Sequence, residues 1–221
     1  MKIGVMDSGV GGLTTLSSCI RECGGEYVYL KDEKGPYGDK DDEFVIQRTF
    51  LACEKLIELG VQVIIVACNT ATNVAISSVR KAYANHKFIG VEPAVRPALN
   101  ECERVAVALT PTAARQDKFR RLIGGYAHRI KLVTPAFLAP AIEKNYFDYA
   151  QKNIFASTLL EQSGDVDGLV LGCTHYVYLK PFITRINSKL KVFDGNDGVA
   201  KRLLTLCGKS EFLGVQFVKI R

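Results

Sequence analysis

The feature that most constrains this chain is an internal echo. Val63-Ile64-Ile65-Val66-Ala67-Cys68-Asn69-Thr70 is matched later by Gly168-Leu169-Val170-Leu171-Gly172-Cys173-Thr174-His175. Each is an apolar run of strand length that enters a small residue, a cysteine and then hydrogen-bonding residues. Such runs read as buried strands. A fainter echo joins Lys2–Asp7 to Arg104–Thr110, each ending on a polar residue some 60 positions before a cysteine. Two similar α/β lobes follow, each with a cysteine at a strand's C-terminal end. Open α/β sheets bind ligands beyond those ends. Lobes that face each other would point both thiols into one cleft.

The rest of the chain fits that plan. Further strand-length runs fall at Tyr27–Leu30, Phe88–Val91, Arg129–Val133, Lys191–Phe193 and Val215–Ile220, with Val61–Ala67 and Leu169–Leu171 bearing the cysteines. Helical patterns lie between them. Leu13, Leu16, Ile20 and Cys23 recur at spacings of three and four, which puts them on one helix face. Asp42–Leu59 runs helically into Gly60, a natural stop. Alternating strands and helices predict mainly parallel sheets covered by helices. The expected division is a first lobe of residues 1–95 plus 190–221 and a second of 96–189.

Composition closes off other classes. Hydrophobic residues at 48% can build a core, and 24% charged residues suit a water-exposed surface. No apolar run reaches membrane-spanning length, and the N-terminal apolar run meets Asp7 at once, reading as a strand rather than an export signal. The expected location is the cytoplasm. Seven cysteines there are expected as free thiols. They include no Cys-x-x-Cys pair, and with three histidines no zinc-ligand spacing arises, so no metal is expected. The net charge of +6 is not gathered into a basic block with interleaved aromatics, so no nucleic-acid face is expected.

Cys19, Cys23, Cys53, Cys102 and Cys207 read as packing residues, because a free cysteine is usually a small buried hydrophobe. Cys68 and Cys173 differ by standing past a strand among polar neighbours. A pair of thiols suits the inversion of a carbon acid: one base removes a proton while an acid delivers another from the opposite face. The ordinary thiol pKa of about 8.5 lies near working pH. A helix starting near Thr70–Thr72 is expected to stabilise a Cys68 thiolate. No such start follows Cys173 before Pro181, and His175 is the nearer group to tune it. Asp7-Ser8-Gly9-Val10-Gly11-Gly12 superficially matches a dinucleotide loop, but Thr14 stands where the third glycine belongs. There Asp7 can orient an ammonium or assist a base, and Ser8 can hydrogen-bond a ligand. Pro36-Tyr37-Gly38 on its own reads as a turn.

Taken together, Asp7-Ser8-Gly9-Val10-Gly11-Gly12-Leu13-Thr14, Pro36-Tyr37-Gly38, Ala67-Cys68-Asn69-Thr70-Ala71, Val91-Glu92-Pro93-Ala94 and Gly172-Cys173-Thr174-His175-Tyr176 strongly resemble the glutamate racemases. The resemblance implies two α/β lobes with the active site between them. It also implies no pyridoxal phosphate, metal or nucleotide cofactor. Cys68 and Cys173 would be the proton donor/acceptor pair, aided by Asp7, Glu143 and His175. Substrate contacts would fall on Asp7, Ser8, Tyr37, Gly38, Asn69, Thr70, Thr174 and His175. The partners implied are a small-molecule substrate, glutamate, and a second copy in a homodimer, with D-glutamate destined for peptidoglycan. Aspartate and hydantoin racemases share the paired thiols, and a ligand-binding relative without turnover is the reading from another class.

Three departures accompany the resemblance. Leu109-Thr110-Pro111-Thr112-Ala113 displaces the second threonine of a Gly-Thr-x-Ala-Thr-like segment that would bind a carboxylate. Lys34-Gly35 replaces an arginine and an apolar residue in the tyrosine loop, and the chain after His175 is short.

Overall fold

The computed structural model describes all 221 residues. The first lobe runs β1 (Lys2–Asp7), α1 (Gly12–Cys23), β2 (Gly25–Asp32), α2 (Asp42–Glu58), β3 (Val63–Val66), α3 (Asn69–Ala82) and β4 (Lys87–Gly90). Helix α4 (Val95–Glu101) leads to β5 (Val105–Ala108), α5 (Pro111–Arg115), α6 (Asp117–Ile123) and β6 (Ile130–Val133). Then come α7 (Leu138–Lys144), α8 (Tyr149–Ser163), β7 (Gly168–Leu171), α9 (Lys180–Ile186) and β8 (Lys191–Asp194). The chain returns through α10 (Asn196–Cys207) to β9 (Phe212–Ile220).

The strands form two sheets, ordered β4-β3-β1-β2-β9 and β6-β5-β7-β8. Every pairing is parallel. Read from its other edge, the second sheet is β8-β7-β5-β6, the order of the first without β9. The repeat seen in the sequence is therefore a repeat of topology: β1 answers to β5, and β3 to β7. The expected strands all form, but β8 pairs with β7 in the second sheet. The chain thus crosses back after Asp194, not at residue 190. The reason is the repeat itself, since β8 fills the edge position that β4 fills in the first sheet.

Burial on both faces explains the continuous apolar runs. Along β3, Ile64 and Val66 enter one core cluster while Val63 and Ile65 enter another. That period of two is the strand pleat, and each such side chain contributes roughly 1.5–3 kcal/mol by leaving water. Helix α2 starts where Asp41 accepts a hydrogen bond from the Phe44 N–H at 2.8 Å, with Asp42 and Glu43 in its first turn favouring the positive helix end. Cys19 and Cys23 pack under α1, Cys53 under α2 and Cys102 beside β5. Cys207 is half-buried, and all seven cysteines are free.

This topology sets the site. In each sheet the order switches direction between the first strand and the third. Beyond that switch lie Asp7 and Cys68 in one lobe, Thr110 and Cys173 in the other.

Candidate active site

Both thiols stand two residues past the end of a strand. Cys68 follows β3 through Ala67 and is the N-cap of α3, its Sγ accepting from the Ala71 N–H at 3.5 Å. Ser8 Oγ, after β1, lies 3.3 Å from the same sulfur. Cys173 follows β7 through Gly172, and a short 3-10 turn at Tyr176–Leu179 follows it. Its Sγ lies 3.9 Å from His175 Nδ1. Each cysteine is only 5% exposed.

Glu143, on α7, sits where three charged or polar groups converge on it. Its Oε2 lies 2.7 Å from His175 Nε2 and accepts from the Val10 N–H at 2.8 Å. Its Oε1 accepts from Lys31 Nζ at 2.5 Å. On the other side of the site, Thr174 Oγ1 donates to Asp7 Oδ2 at 3.0 Å, while Asp7 Oδ1 is buried without a partner. Thr70 and Thr110, one from each lobe, bring their hydroxyls within 2.9 Å.

Two glycines allow this closeness. A Cβ on Gly9 would lie 2.4 Å from Glu143 Oε2, and one on Gly11 would lie 2.4 Å from Thr174 Oγ1. The glycine loop after β1 is thus the surface that receives the second lobe, rather than a phosphate cradle.

The charge states follow from the partners. Burial pushes the Asp7 carboxyl up to about 6, against the pull of His175 and the Thr174 hydrogen bond. For His175, burial alone would favour the neutral ring, but the bonds to Cys173 and Glu143 outweigh it and raise the imidazole to about 10. Glu143 is half-buried, which opposes its charge, yet His175, Lys31 and the Val10 N–H hold it down at about 2. For Cys68, burial and then Asp7 push the thiol up to about 12, Cys173 adding to the push, although Ser8 and the Ala71 N–H oppose it. Burial therefore outweighs the helix-start stabilisation expected from the sequence, which still acts in the expected direction. One N–H at a helix start does not offset full burial beside a carboxylate.

Most of the expected residues converge: Asp7, Ser8, Cys68, Thr70, Glu143, Cys173, Thr174 and His175. Asn69 is buried at the start of α3. Tyr37 is different. Its ring lies in the first lobe's core and its hydroxyl donates to Asp32, which Arg48 grips at 2.7 and 2.6 Å. It has no free hydroxyl for a substrate. Gly38 instead meets the second lobe, its carbonyl accepting from the Thr112 N–H at 3.1 Å. The displaced Thr112 donates to the Lys40 carbonyl at 2.7 Å, leaving Thr110 to face Thr70. Sequence reasoning missed Lys31 and Thr110. Lys31 carries no motif, whereas Thr110 could have been found from the echo that pairs it with Asp7. A cavity of about 890 Å³ lies apart from these residues, against Phe88, Phe193 and Lys201. No group of three or more His, Cys, Asp or Glu side chains stands where it could hold a metal ion. No helix is long and apolar enough to cross a membrane.

Comparison with known proteins gives this geometry a family: the Asp/Glu/Hydantoin racemases match residues 5–203. The chain belongs to that family. It is thereby an isomerase, a racemase. It is 39% identical to the glutamate racemase of Leptospira interrogans, over 92% of this chain and 82% of that one. It is 36% identical to that of Halothermothrix orenii, over 96% and 87%. The crystal structure of glutamate racemase from Campylobacter jejuni superposes with a TM-score of 0.85 at 26% identity, covering 100% of this chain and 93% of that one. The two-lobed fold of this racemase is thus the fold of its relatives.

Proposed function

We propose that this racemase interconverts L- and D-glutamate without a cofactor, using Cys68 and Cys173 as opposing acid and base. The observation that carries the reading is the duplicated strand-end cysteine, both copies buried at one junction of the lobes and flanked by Asp7, Thr174 and His175. The names and identities of the relatives support glutamate as the substrate.

The α-proton of an amino acid is weakly acidic, so each group must lower a different part of the barrier. From L-glutamate, the Cys173 thiolate takes the α-proton and leaves a planar carbanion. The Cys68 thiol then delivers its proton to the opposite face, giving D-glutamate. Cys173 ends as thiol and Cys68 as thiolate, the starting point for the reverse reaction. The pushed-up Cys68 thiol suits the donor role in this direction. Charge that develops on the substrate carboxylate is stabilised by the N-terminus of α3, which begins at Asn69. Asp7 offers a carboxylate oxygen free to meet the substrate ammonium. The D-glutamate would supply peptidoglycan synthesis in the cytoplasm.

Decay of glutamate circular dichroism by purified, chelator-treated protein tests the substrate and the lack of a cofactor together. Decay with aspartate alone, or only after adding metal or pyridoxal phosphate, overturns the reading. In deuterium oxide, early D-glutamate formed from L-glutamate should carry α-deuterium while the remaining L-glutamate stays protiated. Equal early labelling of both enantiomers would count against two separate bases.

A further inference from the structure

We propose that Lys31 is a positioning residue that acts through Glu143: by closing on it across the lobe boundary, Lys31 sets the His175 ring beside Cys173. This rests on the two-thiol reading above. Lys31 lies near the end of β2, in register with Asp7 on β1. Its ammonium crosses to the second lobe and meets Glu143 Oε1 at 2.5 Å, with both side chains largely shielded (28% and 18% exposed).

The division of donors on Glu143 carries the argument. Of its three partners only His175 belongs to the same lobe; Lys31 and the Val10 N–H both come from the first. Both thiols are too buried to meet a substrate as the lobes stand, so access requires the lobes to part. Parting removes two of Glu143's three donors and frees its side chain. His175 then loses the fixed carboxylate that aims its ring at Cys173. Closure restores all of these together, so the partner of Cys173 is aligned only when the site is shut. A charged, partly buried N–H···O bond has the strength and direction for this, and misplacing a reacting group by about 1 Å can cost up to about 100-fold in rate.

The test uses Lys31→Met, Lys31→Gln and Lys31→Arg in the full chain, with melting curves to confirm folding. His175 is one of three histidines, so nitrogen-15 labelling of histidine resolves its ring directly. We expect the His175 signals to shift and broaden in Lys31→Met and Lys31→Gln, with those of His86 and His128 unmoved. In kinetics, kcat/KM should fall about tenfold in both and remain within about threefold of the parent in Lys31→Arg. In a Glu143→Gln background, Lys31→Met should cost no further activity. Unmoved His175 signals overturn the proposal, as does an equal loss with Glu143→Gln already present. An inactive parent enzyme would sink the glutamate reading, yet the histidine spectra would still decide the role of Lys31.

Discussion

Thr174 donates to one oxygen of Asp7 across the lobe boundary at 3.0 Å, and the other oxygen is buried with no partner at all. A carboxylate oxygen buried in this way costs the fold stability. Burial accordingly pushes the carboxyl up to about 6.

The consequence is a pH dependence of stability with a definite sign. Between the unfolded carboxyl value and about 6, the folded state binds more protons at Asp7 than the unfolded state. Stability from this group therefore falls as pH rises through that window. Asp7→Asn should be more stable than the parent at pH 7, by on the order of 2–3 kcal/mol, with the difference vanishing below pH 4. Urea melts at pH 4 and pH 7 measure it. A variant equally stable at both would mean that Asp7 is not strained.

His175 runs the same way as Asp7 at higher pH, and Glu143 runs the opposite way. The folded His175 value of about 10 gives stability that is complete below its ordinary value and lost as pH rises through 10. Glu143, held at about 2, gives stability present above its ordinary value and lost as pH falls through 2. Glu143→Gln should be less stable than the parent at pH 7, with the gap in melting temperature narrowing on titration from pH 7 to 10. An unchanged alkaline melting profile would refute the ion pair.

Cys68 has a part in the fold beside its proposed one in the reaction, because its sulfur caps α3. Cys68→Ala should lose racemisation and also about 1 kcal/mol of stability. Cys68→Ser restores a capping oxygen, so it should recover stability without recovering turnover. Denaturation midpoints for the two variants separate the roles. Serine and alanine variants of equal stability would show that the cap is idle.

Arg48 holds a buried carboxylate, Asp32, which in turn holds the Tyr37 hydroxyl. Removing the guanidinium leaves an unpaired buried charge, a change that typically costs about 3–5 kcal/mol. Arg48→Met should lose that much in urea unfolding and should raise KM by loosening the loop that carries Gly38 against Thr112. A loss under about 1 kcal/mol would mean that solvent reaches Asp32.

What the sequence made legible is what neighbours along the chain decide. A strand running into Cys68 or Cys173 is a local pattern, and its duplication foretold the repeated topology. Contacts between lobes are not local. Nothing near Lys31 or Glu143 in the chain says that they meet 112 residues apart, and Glu143 was reachable only by resemblance. Burial is equally invisible: it turned Tyr37 inward and overrode the helix start at Cys68. The assignment of β8 failed because a short strand carries no label for its sheet. Only its edge position in the repeat could have supplied one.

The two-thiol reaction makes a last prediction that ordinary rates cannot reach. Enantiomers have equal free energy, so the equilibrium constant of a racemisation is unity, and any variant must lose kcat/KM equally in both directions. Rates alone cannot say which thiol serves which enantiomer. Exchange of the α-hydrogen in deuterium oxide can. In Cys173→Ser, Cys68 can still take the proton from D-glutamate, exchange it with solvent and return deuterium to the same face. The serine opposite is too weak an acid to complete the inversion. D-Glutamate should therefore gain α-deuterium without racemising, while L-glutamate stays protiated. Cys68→Ser should do the reverse, labelling L-glutamate alone. Proton NMR of the α-hydrogen, with chiral analysis of the same samples, reads both outcomes. If either variant labels both enantiomers at similar rates, or if the two label the same one, the assignment of Cys173 to L-glutamate and Cys68 to D-glutamate fails.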